Sequence, residues 1–274
     1  MAVGNDPGTP QKESYTWQGS TVTKIHGART AANIAGFFTP YLKPGMKLLD
    51  CGCGPGSITV GLAQLVAPGE AIGIDANASR IETAQASATA AGVSNLRLQT
   101  GDVYHLDFED ETFDAVFCNA LLEHLKDPVA ALREMRRVSK TGGLIGVREL
   151  DTDGTLLQPE EPILYRTIEF WARLTRHNGG NAQIGKQLGV LFQKAGFQQP
   201  AMTATTELYG SLAKEPLGAN EVVLEQWKFI LAESGKHGWV TESESAGILQ
   251  AWDAWSKRAD SLMLTLRCEA IARK

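Results

Sequence analysis

Apolar and polar positions change places along the first half of the chain at regular intervals. Residues 47–50, with Leu48 and Leu49 between Lys47 and Asp50, read as a short buried strand. A helical pattern follows from near Gly56 through Leu62 and Leu65 to Val66, and Pro68-Gly69 turns the chain. Residues 71–75 form a second strand. Ser79 and Glu82 have the spacing of a capping box, opening a helix that ends at Gly92. Residues 96–99 and 113–118 are the third and fourth strands. Asp127 before Pro128 predicts an N-cap followed by proline at the first helical position. That helix ends before Thr141-Gly142-Gly143, and residues 144–147 are a fifth strand. Strands alternating with helices in this way imply βαβ units and a mostly parallel sheet.

The flanks are patterned differently. Residues 1–26 read as an N-terminal arm, rich in Gly, Pro, Asn, Asp and Ser at its start. Ile34, Phe37, Phe38, Tyr41 and Leu42 fall at helical spacing within residues 27–42, and Pro44-Gly45 stops that helix. The second half predicts helices over 161–176, 183–194, 216–233 and 242–257. It predicts strands over 202–208 and 262–271. Residues 27–274 therefore read as one α/β domain, with added helices at about 155–198 and 214–258 expected to form a lid.

Composition narrows the classes. The 274 residues are 43% hydrophobic and 21% charged, ordinary for a globular protein. A net charge of -5 argues against a nucleic-acid partner, because phosphate backbones call for a basic face. No apolar run is long enough to span a membrane, and the first residues lack the apolar segment of a secretory signal. Cys51, Cys53, Cys118 and Cys268 form no C-x-x-C pair and no zinc spacing. They read as reduced thiols, so a cytoplasmic protein without a metal site is expected.

The candidate chemistry gathers around residues 49–56, L-D-C-G-C-G-P-G. Three glycines between a buried strand and a helix allow a tight turn and let a ligand approach the backbone. The loop lies at the carboxyl end of the first strand, where open α/β sheets bind ligands. Acids stand at the neighbouring strand ends. Asp75 can accept hydrogen bonds from both hydroxyls of a ribose. Asp102 is placed to reach the exocyclic amine of an adenine. Asp50 can help hold the loop and the cationic amino end of a ligand.

L-D-C-G-C-G-P-G, G-I-D-A, G-D-V and F-D-A-V-F-C-N-A-L-L-E-H-L resemble the successive motifs of class I S-adenosylmethionine-dependent methyltransferases. The chain is similar to the group that includes the ubiquinone/menaquinone-biosynthesis methyltransferases and many small-molecule enzymes. The resemblance covers about residues 40–150. It implies a Rossmann-like seven-stranded sheet with the last strand antiparallel, and S-adenosylmethionine as cofactor. It implies that Gly52, Gly54 and Gly56 pass beside the methionine part and that Asp75, with Ala76 next to it, holds the ribose. It further implies that Asp102 and Val103 hold the adenine and that Asn119 lines the methionine side. The acceptor would be a small organic molecule, methylated at O, N or C. Nothing resembles the N-P-P-Y-type motif of base-amino methyltransferases, since Asn119 is followed by Ala-Leu-Leu.

A sulfonium methyl is already activated, so transfer mainly needs alignment and exclusion of water. A base is needed only if the nucleophile arrives protonated. His124 is the first candidate base, although a packed or capping histidine is the preferred reading of it. Glu149, and Asp151 after it, face the usual substrate side just past the fifth strand. Tyr15, Trp17 and His26 could close over the cofactor from the arm. Trp171, Trp227, Trp239, Trp252 and Trp255 read as core rather than a substrate cage. Two rival functions remain. A dinucleotide-dependent oxidoreductase wants G-x-G-x-x-G, but counting from Gly52 the last glycine place is Ser57. A non-catalytic adenosylmethionine-binding subunit would keep the same loop.

Overall fold

The computed structural model describes residues 29–213 and 220–274, with side chains except at 220–222. The expected arm, with Tyr15, Trp17 and His26, lies outside the described residues. The order is α1 (Ala31–Ile34), a 3-10 turn (Thr39–Tyr41), β1 (Leu48–Cys51), α2 (Ser57–Val66), β2 (Ala71–Asp75) and α3 (Ala78–Ala90). It continues with β3 (Leu96–Thr100), β4 (Phe113–Asn119), a 3-10 turn (Leu122–His124), α4 (Pro128–Val138) and β5 (Ser139–Gln158). Then come α5 (Pro162–His177), a 3-10 turn (Gly185–Gln187), α6 (Leu188–Lys194), β6 (Ala201–Tyr209), α7 (Asn220–Lys236), α8 (Glu242–Ser256) and β7 (Leu262–Arg273).

The seven strands form one sheet in the order β3-β2-β1-β4-β5-β7-β6. β1 to β5 pair in parallel, and β7 runs antiparallel between β5 and β6. Both faces are covered, which is why Leu48, Leu49 and Cys51 of β1 are all buried although they point to opposite faces. Leu48, Ala115 and Phe117 pack under α1 and α2. Leu49, Val116 and Cys118 face the other way, under α4 and α6. Because β1 to β4 run parallel, they all end on the same edge of the sheet.

Several boundaries differ from the sequence reading for identifiable reasons. The expected helix over 27–42 is broken: α1 is one turn, and Pro40 sits in a separate 3-10 turn. Phe38 is driven against Gly146, where an added Cβ would meet its ring at 2.3 Å. Helix α3 is capped by Asn77, whose Oδ1 accepts from Ser79 N at 2.9 Å, not by the Ser79/Glu82 box. Asp127 does cap α4, accepting from Ala130 N at 2.9 Å.

The largest difference is β5. It runs to Gln158, far beyond Val147, and pairs with β7 as far as Asp151 and again from Leu156 to Gln158. Arg148, Glu149, Asp151, Thr152 and Thr155 look like loop residues, yet all are buried. A register shift lies between Asp151 and Leu156, beside Gly154, where an added Cβ would meet Leu266 at 2.5 Å. Helices α5, α7 and α8 pack on this extended ribbon around Leu150, Leu157 and Met263. Trp171, Trp227, Trp252 and Trp255 are buried core there, as expected, while Trp239 is partly buried at its edge. Trp252 donates to Thr167 Oγ1 at 2.8 Å and Trp255 to the Gln158 carbonyl at 3.0 Å, so those indole N–H groups are satisfied. All four cysteines are free and buried. No helix of the described residues is long and apolar enough to cross a membrane, and no metal-ligating cluster occurs among them.

Candidate functional site

The loop after β1 curls over the end of β2. Gly52 N and Cys53 N both donate to the Ile74 carbonyl, at 2.8 and 2.9 Å. Gly52, Gly54 and Gly56 have φ of 73°, 54° and 80°, a region that strongly favours glycine. A Cβ on Gly54 would meet nothing within 4 Å. That open side faces a cavity of about 690 Å³, enclosed by the loop and by the carboxyl ends of β2, β3 and β4.

Asp75 is buried at the end of β2. Its Oδ2 accepts from Gly54 N at 3.0 Å and its Oδ1 from Asn77 N at 2.9 Å, with Arg80 3.8 Å away. The carboxylate thus ties the glycine loop to the start of α3 and keeps lone pairs for a ligand. Asp50 is also buried, with Oδ2 accepting from Thr59 Oγ1 at 2.6 Å. Burial pushes its carboxyl up to about 7, against the pull of Thr59, and the charge of Asp75 adds to the rise. Asp102 accepts from Tyr104 N at 2.9 Å and stays largely exposed at the cavity mouth.

The loop after β4 forms the opposite wall. Ala120 has a φ of 52°, and its N donates to the Arg148 carbonyl at 2.9 Å. Asn119 Oδ1 accepts from Arg148 at 3.3 Å. His124 lines the cavity from the 3-10 turn, with Nε2 3.4 Å from Glu123 Oε1. Burial lowers its pKa, so the ring is neutral near pH 7, although Glu123 opposes the shift.

The structure brings Asp50, Gly52, Gly54, Asp75, Ala76, Asp102, Val103, Asn119 and His124 to this one cavity. Three sequence candidates, Gly56, Glu149 and Asp151, lie outside its lining. Gly56 is not in the lining; its missing Cβ lets α2 approach α3, where it would meet Ala84 Cβ at 2.8 Å. Glu149 is not a loop carboxylate on the substrate side. It lies inside β5, fully buried, with Oε1 accepting from Leu121 N and Leu122 N at 3.0 and 2.8 Å. Its Oε2 accepts from Glu123 N at 3.1 Å. Burial and the neighbouring Glu123 push its carboxyl up while those three N–H groups pull it down. Asp151 is likewise buried, with Oδ2 accepting from Lys186 N at 2.9 Å.

Sequence reasoning missed the buried charges beside the cavity. Arg148, Arg267, Glu207 and Glu269 all lie on one face of β5, β7 and β6. Glu207 accepts from Arg148 at 2.8 Å and from Arg267 at 2.9 Å. Burial alone would raise its carboxyl, but Arg267, Arg29 and Arg148 hold it well below the usual range. The signal was period-two spacing: Thr203, Thr205 and Glu207 on one strand, Arg267 and Glu269 on another.

A glycine loop open to a cavity, with acids at the ends of the first three strands, fits an adenosine-bearing cofactor with a cationic amino end. Fold and site together define the class I methyltransferase type. Residues 42–196, more than half of the chain, match the family described as "Methyltransferase domain". A protein of Aspergillus luteorubrus named "Probable methyltransferase ltbC" is 30% identical over 280 residues, 96% of each chain. A demethylmenaquinone methyltransferase of Lactiplantibacillus plantarum is 31% identical over 206 residues, 66% of this chain and 76% of that one. An uncharacterised methyltransferase of Schizosaccharomyces pombe is 34% identical over 175 residues, 62% of this chain. The match spans 63% of that relative, just under two thirds of its length. The solved structure of the BH2331 protein from Bacillus halodurans shares the fold, with a TM-score of 0.59 at 16% identity over 85% of this chain and 94% of that one. The chain belongs to the methyltransferase-domain family and is an S-adenosylmethionine-dependent methyltransferase.

Proposed function

We propose that the chain methylates an O, N or C atom of a small organic acceptor, with the cofactor held in the 690 Å³ cavity. The observation that carries this reading is the glycine loop open to a walled cavity, which leaves little room for a polymer beside a cofactor. When bound, S-adenosylmethionine supplies an activated methyl group. Asp75 and Ala76 would hold the ribose, Asp102 and Val103 the adenine, and Asp50, Gly52, Gly54 and Asn119 the methionine part. Helices α5, α7 and α8 are proposed to shape the acceptor side, although none of their described residues lines the cavity. The demethylmenaquinone methyltransferase among the relatives acts, by its name, on a small molecule, which supports the same class here.

His124 is neutral near pH 7, the form in which an imidazole can take a proton from an acceptor. Its contact with Glu123 in a tight turn serves packing equally well, and packing is the role assigned here. Turnover per folded molecule in His124→Ala separates the two: near-intact turnover agrees with packing, and a loss of about 100-fold in a stable variant requires a base.

Incubating the protein and deuteromethyl cofactor with a cell extract, then reading mass shifts, tests the whole proposal. Labelled small molecules are expected. Label only in nucleic acid or protein contradicts the substrate class. No label anywhere, with cofactor bound, favours the non-catalytic binding subunit.

A further inference from the structure

Arg29 is a cation placed where few cations are tolerated. It is 7% exposed and lines the cavity beside the walls built by Asn119, Leu121 and His124. Its Nε is buried without a hydrogen-bond partner among the described residues. Its ion pair is with Glu207 Oε2, at 3.6 Å, too long for a hydrogen bond. A guanidinium carries five N–H donors, and a buried one left without acceptors is costly.

Glu207 cannot fill that need. Its Oε1 is taken by Arg148, and its Oε2 by Arg267 and by the Tyr209 hydroxyl at 3.1 Å. Three guanidiniums therefore converge on one carboxylate. Glu269 offsets part of the excess, 3.4 Å from Arg148, but two of its bonds come from Thr203 and Thr205. The cavity thus has two electrostatic ends. The glycine-loop end carries Asp50 and Asp75, with Arg80 paired to Asp75 at 3.8 Å, and its free lone pairs suit hydroxyls and an ammonium. The far end carries Arg29, a donor in search of an oxyanion.

We infer that Arg29 anchors a carboxylate of a bound ligand at this end of the cavity. The inference rests on the methyltransferase reading above. It places a planar fork where a carboxylate can be met by two parallel N–H bonds. The carboxylate can come from the amino-acid end of the cofactor or from the acceptor. Both sources use the same chemistry.

Calorimetry on wild type and Arg29→Met, which keeps length and loses charge, tests the anchor. Three probes are used: S-adenosylhomocysteine, 5′-methylthioadenosine (which lacks the amino acid), and benzoate added to protein saturated with S-adenosylhomocysteine. If the cofactor supplies the carboxylate, Arg29→Met weakens S-adenosylhomocysteine by ~10-fold or more and leaves methylthioadenosine within about 2-fold. If the acceptor supplies it, both nucleosides keep their affinity, and benzoate binds wild type but not the variant. Equal weakening of both nucleosides, or no change with any probe, overturns the inference. Should Arg29→Met fail to fold, the structure of wild type with S-adenosylhomocysteine and benzoate decides. A guanidinium within about 3.5 Å of a ligand carboxylate oxygen supports the anchor. One that touches neither ligand overturns it. Wild type that binds no S-adenosylhomocysteine would instead remove the methyltransferase reading itself.

Discussion

Asp50 shows how one residue can serve both folding and binding. Its carboxyl is raised from 3.8 to about 7, chiefly by burial. A raised folded pKa means that the protonated form favours the fold. That contribution is complete below about pH 4 and is lost as pH rises through 7. A ligand ammonium reverses the preference, because it pairs with the ionised form. Affinity for S-adenosylhomocysteine should therefore fall about tenfold per pH unit below 7 in wild type. Asp50→Asn should flatten that dependence and raise the melting temperature of the ligand-free protein at pH 8. Identical pH slopes in the two proteins would take Asp50 out of contact with the ligand. Gly54 answers a steric question at the same scale. Its φ of 54° and open Cβ position mean that Gly54→Val should cost about 1–3 kcal/mol of stability and abolish S-adenosylhomocysteine binding. Normal calorimetric binding by a folded Gly54→Val protein would show that the loop does not face the cofactor.

At the scale of elements, β5 supports the site although none of its residues lines the cavity. Glu149 holds the start of the loop after β4 by accepting from three consecutive backbone N–H groups. Replacing it with alanine leaves those donors buried and unpaired. Glu149→Ala should lower stability by roughly 2–4 kcal/mol, and binding should suffer with it, because Asn119 to His124 form the cavity wall. Chemical denaturation and calorimetry measure both. A variant of unchanged stability and affinity that no longer turns over would return Glu149 to the role of a base. The extension of β5 was not legible in the sequence. Arg148, Glu149 and Asp151 read as a polar loop because their partners lie far along the chain, at Glu207, Leu121 and Lys186. β2, by contrast, was readable to the residue, since Ala71–Asp75 is apolar on both faces and bounded by a turn and a cap. The Asn77 cap was missed because the Ser79/Glu82 spacing imitates one two residues late.

At the scale of the molecule, two cores divide the labour. The parallel half of the sheet, buried under α2 and α4, holds the loops that line the cavity. The tryptophan-rich cluster of α5, α7 and α8 stands on the β5–β7 ribbon and contributes no residue to the cavity lining. On the proposal that these helices shape the acceptor side, exchanging residues 220–257 for the matching segment of a relative should change which acceptor is methylated. Affinity for the cofactor should stay within a few fold. A well-folded exchange with the original acceptor profile would show that the helices do not select the substrate. The glycine loop and its acids were legible because local spacing encodes them. The seven-stranded sheet with its antiparallel last strand came only from resemblance, and Arg29 was invisible because its meaning depends on a strand nearly 180 residues away in sequence, at Glu207.

The central claim is that the cavity at the ends of β1 to β4 binds an adenosylmethionine-type ligand. Titration calorimetry of the purified protein with S-adenosylhomocysteine and, separately, with NAD tests it most directly. The account predicts one-site binding of S-adenosylhomocysteine, lost in Gly54→Val, and no heat from NAD. Tight NAD binding with no response to S-adenosylhomocysteine would contradict it.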